Sequence, residues 1–238
     1  MKYFDLLEKG IQELGLEAGK GQLEKFILYK NLLKEWNEKI NITAIVDDEE
    51  IISKHFLDSL TILGLDYFEG NKRLIDIGTG GGFPGLPMKI LKNNLDITLL
   101  DSLNKRIRFL NEVIESLGLN GINALHGRAE EEARREDHRE MYDLAVSRAV
   151  ASLNTLSEYC LPFVKVGGYF ISMKGPDVDE ELKEGRRAIQ ILGARILDKK
   201  LISIPNTDIV HSLIIIEKIR QTPTKYPRAG GKPRKNPL

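Results

Sequence analysis

The chain is poor in the residues that usually announce a covalent or metal-based function. It has one cysteine and four histidines in 238 residues. The lone Cys160 excludes an intrachain disulfide framework and a cysteine-rich zinc site. His55 has no second histidine at metal-ligand spacing, so no metal is expected. No run reaches the ~18 apolar residues that a membrane helix requires. The first ten residues are charged and lack the long apolar stretch of a secretory signal. The expectation is a cytoplasmic protein with no membrane partner. Net charge is also missing, with 35 basic and 35 acidic residues. That zero hides an asymmetry, because no acid follows Glu217. Lys218, Arg220, Lys225, Arg228, Lys232, Arg234 and Lys235 give the tail a charge of +7, and 28 basic residues face 35 acidic ones before it. An acidic body with a basic arm points to a polyanionic partner.

What is present centres on residues 74–87. Leu74–Ile77 is a short apolar run of the kind that makes a buried parallel strand. It breaks into Gly78, Gly80, Gly81 and Gly82, then meets Pro84, which a helix tolerates in its first turn. Strand, glycine turn and helix together bring bare backbone against a nucleotide-like ligand. The dinucleotide fingerprint G-x-G-x-x-G is not met, since Phe83 stands at its third position. The run reads instead as Asp76-x-Gly78-x-Gly80-x-Gly82, which resembles motif I of S-adenosylmethionine-dependent methyltransferases.

Residues 1–65 read as helices. Leu6, Leu7, Ile11 and Leu14 share one face; Phe26, Tyr29, Leu32, Leu33 and Trp36 share another, with Trp36 expected as a core anchor. A third helix is expected over about 48–63, where His55 and Asp58 read as a satisfied helix pair. From Arg73 strands and helices alternate. Strands are predicted at 74–77, 97–100, 122–126, 142–147, 167–173, 196–204 and 212–219, the last two adjacent in sequence and so antiparallel. This is a doubly wound α/β sheet of about seven strands with a terminal antiparallel strand, matching the Rossmann-like class I methyltransferase fold. Residues 130–141 read as a charged, solvated connector. The chain divides into an N-terminal helical extension (1–65), the core (66–220) and a basic arm (221–238), whose prolines and glycines predict an extended segment without helix.

Ligands bind such sheets at the carboxyl ends of the strands. Four stretches reach that edge: the turn from Gly78 to Phe83, Asp101, Gly127–Glu130 and Ser147–Ala149. Asp101, about 20 residues past the glycines, is placed to accept from a ribose diol. Taken together, Glu35–Thr43, Lys54–Ser59, Asp76–Pro87, Asp101-Ser102-x-x-Lys105-Arg106-x-x-Phe109-Leu110, Arg128-Ala129-Glu130, Ser147–Ala151, Met173-Lys174-Gly175 and Tyr226-Pro227-Arg228 resemble the RsmG (GidB) family. That resemblance implies S-adenosylmethionine as cofactor and methyl transfer to guanine N7 of 16S ribosomal RNA in the small subunit. It implies that Gly78, Phe83, Ala129, Glu130 and Arg148 contact the cofactor; Gly80 and Asp101 join them from the turn and strand-two arguments. Arg148 is also the candidate catalytic residue, orienting either the methionine end or the guanine edge. Lys105, Arg106, Arg108, Arg128, Lys174, Lys225, Arg228, Lys232, Arg234 and Lys235 are candidates for RNA contact. The protein is expected to act as a monomer. Rival readings are a methyltransferase for another RNA or a small molecule, an NAD-dependent oxidoreductase, and a non-catalytic ribosome-binding module.

Overall fold

The computed structural model describes residues 2–148 and 151–238. Ala149 and Val150 of the Ser147–Ala151 stretch therefore lie outside the described residues. The N-terminal helices are α1 (Lys2–Glu13) and α2 (Lys20–Ile40). Asn41 ends α2 at φ 49° and donates its N–H to the Asn37 carbonyl, a left-handed conformation that asparagine tolerates. The next helical run opens as α3 (Asp48–Glu50), capped by the Asp47 carboxylate. It widens to a π-helix over Ile51–Leu57 and returns to α-geometry in α4 (Asp58–Leu60). The helix expected over about 48–63 is therefore present, but its middle is not α-helical. Apolar periodicity cannot register the widened turn, beside which the Lys54 carbonyl and the His55 and Asp58 side chains meet Arg148, more than 85 residues away. Widened turns of this kind gather at functional sites.

The alternating region gives β1 (Arg73–Ile77), α5 (Gly85–Leu91), β2 (Asp96–Asp101), α6 (Asn104–Ser116), β3 (Ile122–His126), α7 (Ala129–Glu132), β4 (Tyr142–Arg148), α8 (Leu153–Cys160), β5 (Val164–Lys174), α9 (Asp179–Ile191), β6 (Ala194–Ser203), β7 (Val210–Lys218) and α10 (Lys232–Lys235). The sheet order is β3-β2-β1-β4-β5-β7-β6. β1 pairs in parallel with both β2 and β4, so the winding direction reverses between β1 and β4. β7 runs antiparallel between β5 and β6. The doubly wound sheet with a closing antiparallel strand is therefore as expected. The crevice at the carboxyl ends of β1 and β4 is where such a sheet binds ligands.

The period of two along each strand builds two cores. Leu74, Leu144, Val146, Ile171, Leu213 and Ile215 face one side, where they pack with Leu7, Phe26, Tyr29, Phe56 and Phe109 from the helices. Ile75, Ile77, Ala145, Phe170, Ile214 and Ile216 face the other, with Leu153, Leu156 and Ile189. The N-terminal helices share one apolar cluster with the sheet, and each fully buried large side chain contributes about 1.5–3 kcal/mol. Trp36 sits at the margin of that cluster, half-buried beside Phe109, and is not the anchor expected of it.

The last 18 residues depart furthest from expectation. The arm is docked and ends in α10, with Pro233 buried and its carbonyl accepting from the Thr155 hydroxyl at 3.2 Å. Proline costs nothing in a first helical turn, so the proline-rich composition did not forbid this helix. Residues 130–141, read as a solvated connector, grip the arm. Arg134 Nε donates to the Pro227 carbonyl at 3.0 Å, and Arg139 donates to the carbonyls of Tyr226 and Thr222 at 2.9 and 2.8 Å.

Candidate active site

The glycine turn is held from beneath and behind. Asp76, fully buried at the β1 end, accepts from the Thr79 hydroxyl at 2.7 Å and the Gly85 N–H at 2.9 Å. Burial pushes its carboxyl up to about 7. Tyr29 of α2 donates to the Gly81 carbonyl. A Cβ at Gly82 would press on Leu86 and the Tyr29 hydroxyl, so this glycine is required for close packing. Gly80, at φ +60°, is different: a Cβ there would meet nothing nearer than the Gly78 carbonyl at 4.0 Å. The turn is therefore packed on its inner side and open at Gly80.

Two cavities meet over this turn. The first, about 530 Å³, is lined by Ile42, Thr43, His55, Gly78–Gly81, Phe83, Asp101–Leu103, Arg106 and Arg148. The second, about 410 Å³, is lined by Ile77, Gly78, Leu100–Ser102, Gly127–Glu130, Ala151, Tyr159, Gly231, Arg234 and Lys235. They share Gly78, Asp101 and Ser102. All the sequence-expected cofactor positions, Gly78, Gly80, Phe83, Asp101, Ala129, Glu130 and Arg148, line one cavity or the other.

Asp101 is buried and already occupied in part. It accepts from the N–H groups of Gly80 at 3.0 Å and Leu103 at 2.9 Å, and from Arg106 Nη1 at 3.2 Å. It thus ties the turn to the start of α6. Arg106 lines the first cavity, and its buried Nε has no hydrogen-bond partner among the described residues. Glu130 is buried at the second cavity, with Arg128 Nη1 4.0 Å from its carboxylate. The acidic run 130–132 is therefore not uniformly solvated.

Arg148 is held by two groups from the π-helix and by Asp58, the first residue of α4. Nη1 donates to Asp58 Oδ2 at 2.7 Å and to the Lys54 carbonyl at 3.2 Å; Nη2 lies 3.2 Å from His55 Nδ1. His211 of β7 supports Asp58 from behind, Nδ1 to Oδ1 at 2.7 Å. The Phe83 ring packs against both groups, with the His55 ring 4.5 Å away and the Arg148 guanidinium carbon at 4.9 Å. Burial and then the Arg148 charge push His55 down to about 4, so the imidazole is neutral. The reading of His55 and Asp58 as a self-contained helix pair is corrected: both bind Arg148. Sequence reasoning missed them and His211, although His55 and Asp58 sit in the quoted Lys54–Ser59 segment, three residues apart.

The basic residues divide. Arg128, Lys225, Lys232, Arg234 and Lys235 are exposed. Lys174 is not a free cation; it is paired with Glu181 at 2.6 Å and bonded to the Ala151 carbonyl. Arg228 is likewise committed, its Nη2 2.7 Å and Nε 3.0 Å from the oxygens of the fully buried Glu158. Lys218 is entirely buried against Glu140 and two carbonyls, and burial pushes its ammonium down to about 8. Lys105 caps α2 through the Ile40 carbonyl at 3.0 Å. The arm's +7 is therefore partly neutralised inside the molecule.

No helix among the described residues is long and apolar enough to cross a membrane, and none of their His, Cys, Asp and Glu groups is arranged to hold a metal. The chain is 54% identical over 233 residues to ribosomal RNA small subunit methyltransferase G of Alkaliphilus metalliredigens, covering 98% of each chain. It is 52% identical to the protein of that name in Clostridium botulinum, over all of both chains. Its fold is similar to that of M. jannaschii TYW2 in complex with AdoMet, with a TM-score of 0.50 at 14% identity over 64% of this chain and 73% of that one. The profile of the GidB family, rRNA small subunit methyltransferase G, matches residues 22–210. The chain belongs to that family of methyltransferases.

Proposed function

We propose that the protein transfers the methyl group of S-adenosylmethionine to N7 of a guanine in 16S ribosomal RNA. The observation that carries this reading is the pair of cavities joined over Gly78, with buried carboxylates on one side and a clamped arginine on the other. The donor fits the residues present. Gly80 leaves open space where a side chain would stand. Asp101 accepts from the ribose diol, and Ala129 and Glu130 flank the adenine and its amino group. The orphaned Arg106 Nε–H offers a further donor to a ligand oxygen.

Bound there, S-adenosylmethionine supplies an electrophilic methyl on a sulfonium. The protein's own groups orient and polarise. Guanine N7 carries an in-plane lone pair and no proton, so no general base is needed before attack. Positioning and preorganised charge then supply most of the acceleration. Arg148 fits that role because Asp58, His55 and Lys54 fix its plane before any ligand arrives. Three of its hydrogen bonds are internal, which leaves only its remaining N–H donors for donor or nucleobase.

N7 is hidden in the deep groove of A-form RNA, so the target base is expected in a distorted or unstacked region. Arg128, Lys225, Lys232, Arg234 and Lys235 are the exposed cations that meet phosphate; Arg106 faces the cavity. The test is transfer of labelled methyl to small subunits that lack the modification, followed by mapping of the labelled base. Label at a single guanine N7 is expected. Label elsewhere, or none from an enzyme that binds the donor, refutes the assignment.

A further inference from the structure

The hydrogen bonds around His55 end at a hydroxyl with one open valence. Arg148 has no acceptor. Its 3.2 Å contact with His55 Nδ1 is therefore a donation from Nη2, which leaves the imidazole proton on Nε2. Nε2–H then donates to Thr43 Oγ1 at 2.8 Å. The same oxygen accepts the Ile45 N–H at 3.0 Å. Both lone pairs of the Thr43 hydroxyl are filled, so it can only donate. Thr43 lines the first cavity. Its loop is pinned by Asn37 Oδ1, which accepts from the N–H groups of Ile42 and Thr43 at 2.6 and 2.8 Å.

We propose that Thr43 is a specificity residue that donates a hydrogen bond to the 6-oxo group of the acceptor guanine. The inference rests on the reading of the site given above. On guanine's major-groove edge O6 lies beside N7 and accepts, whereas adenine presents an amino donor at the same place. A hydroxyl free to rotate would accept from that amino group. A hydroxyl locked as a donor rejects it, and a site built to hydrogen-bond a substrate atom discriminates against the analogue that lacks it. The donor molecule's carboxylate is a competing acceptor for this cavity. Being an anion, it matches Arg106 and Arg148 on the same wall, whereas a neutral hydroxyl matches a neutral carbonyl. The cavity's 530 Å³ also exceeds what the short amino-acid end of the donor requires.

The test is a double-mutant cycle between residue and base. RNA carrying guanine, or 2-aminopurine, at the mapped acceptor position is methylated by the wild type, Thr43→Val and Thr43→Ser. The ratio of kcat/KM for guanine over 2-aminopurine should fall about tenfold in Thr43→Val and stay near wild type in Thr43→Ser, the size of one lost hydrogen bond of this class. Affinity for S-adenosylhomocysteine, measured by calorimetry, should remain within twofold for both variants and shows that they are folded. An unchanged base ratio in Thr43→Val overturns the proposal. So does a tenfold loss of S-adenosylhomocysteine affinity with the ratio intact, which assigns the hydroxyl to the donor. A wild-type enzyme silent at guanine N7 defeats the functional reading itself, which separates the two failures.

Discussion

The clasp between Arg228 and Glu158 makes an asymmetric prediction. Glu158 has no exposure, whereas Arg228 keeps 22% of its side chain in solvent. The carboxylate accepts from Arg228 Nε, Nη2 and backbone N–H. Arg228→Ala leaves a carboxylate buried against one N–H, and orphaning a buried charge costs about 3–5 kcal/mol. Glu158→Gln leaves the guanidinium able to turn toward water and keeps one oxygen as acceptor. Its cost is that of charge-assisted hydrogen bonds alone, about 1.5–3 kcal/mol. The double variant should be more stable than Arg228→Ala, because no lone charge remains. Urea unfolding followed by circular dichroism reads all three. Equal costs, or a costlier Glu158→Gln, would show that the pair does not anchor the arm as described.

Other consequences follow from the same geometry. Asp58→Asn should lower kcat at least tenfold while costing about 1–3 kcal/mol of stability, since Arg148 loses its counter-ion but keeps an acceptor; wild-type turnover would remove the clamp from the mechanism. Tyr29→Phe strips a buried partner from the Gly81 carbonyl and should cost about 1–3 kcal/mol in denaturant titration, with weaker donor binding; unchanged donor affinity would detach the turn from α2. His55 is held below its ordinary 6.5, at about 4. The unfolded chain therefore takes up the proton first, and stability present above pH 6.5 is lost as pH falls toward 4, by up to about 3 kcal/mol. Asp76, raised to about 7, acts in the opposite sense, so the measurement is the wild type minus His55→Gln across that window. A flat difference would contradict the buried neutral imidazole.

What the chain disclosed about itself depended on the range of each interaction. The strand–turn–helix at 74–91 is local, so glycine spacing and one apolar run located it, and Asp101 followed from its distance beyond the turn. The strand over 212–219 was also located by its apolar run, but that unbroken run did not reveal that Ile214 and Ile215 face opposite sides of the sheet. The Arg148 clamp is not local: its partners come from 54–58 and, through Asp58, from His211. Nothing in a helical pattern distinguishes His55 paired along its helix from His55 paired across the sheet. The arm failed for a related reason. Charge counting treats Lys218, Arg228 and Lys235 alike, whereas Lys218 is buried against Glu140 and Arg228 is paired with the buried Glu158.

The central claim is that the bend after β1 seats the methyl donor across both cavities. Crystals grown with S-adenosylhomocysteine test it most directly. The account predicts density crossing Gly78, with the ribose on Asp101 and the adenine beside Glu130. Density in any other crevice, or a bend closed over by Phe83 and Arg106 with no bound product, would contradict it.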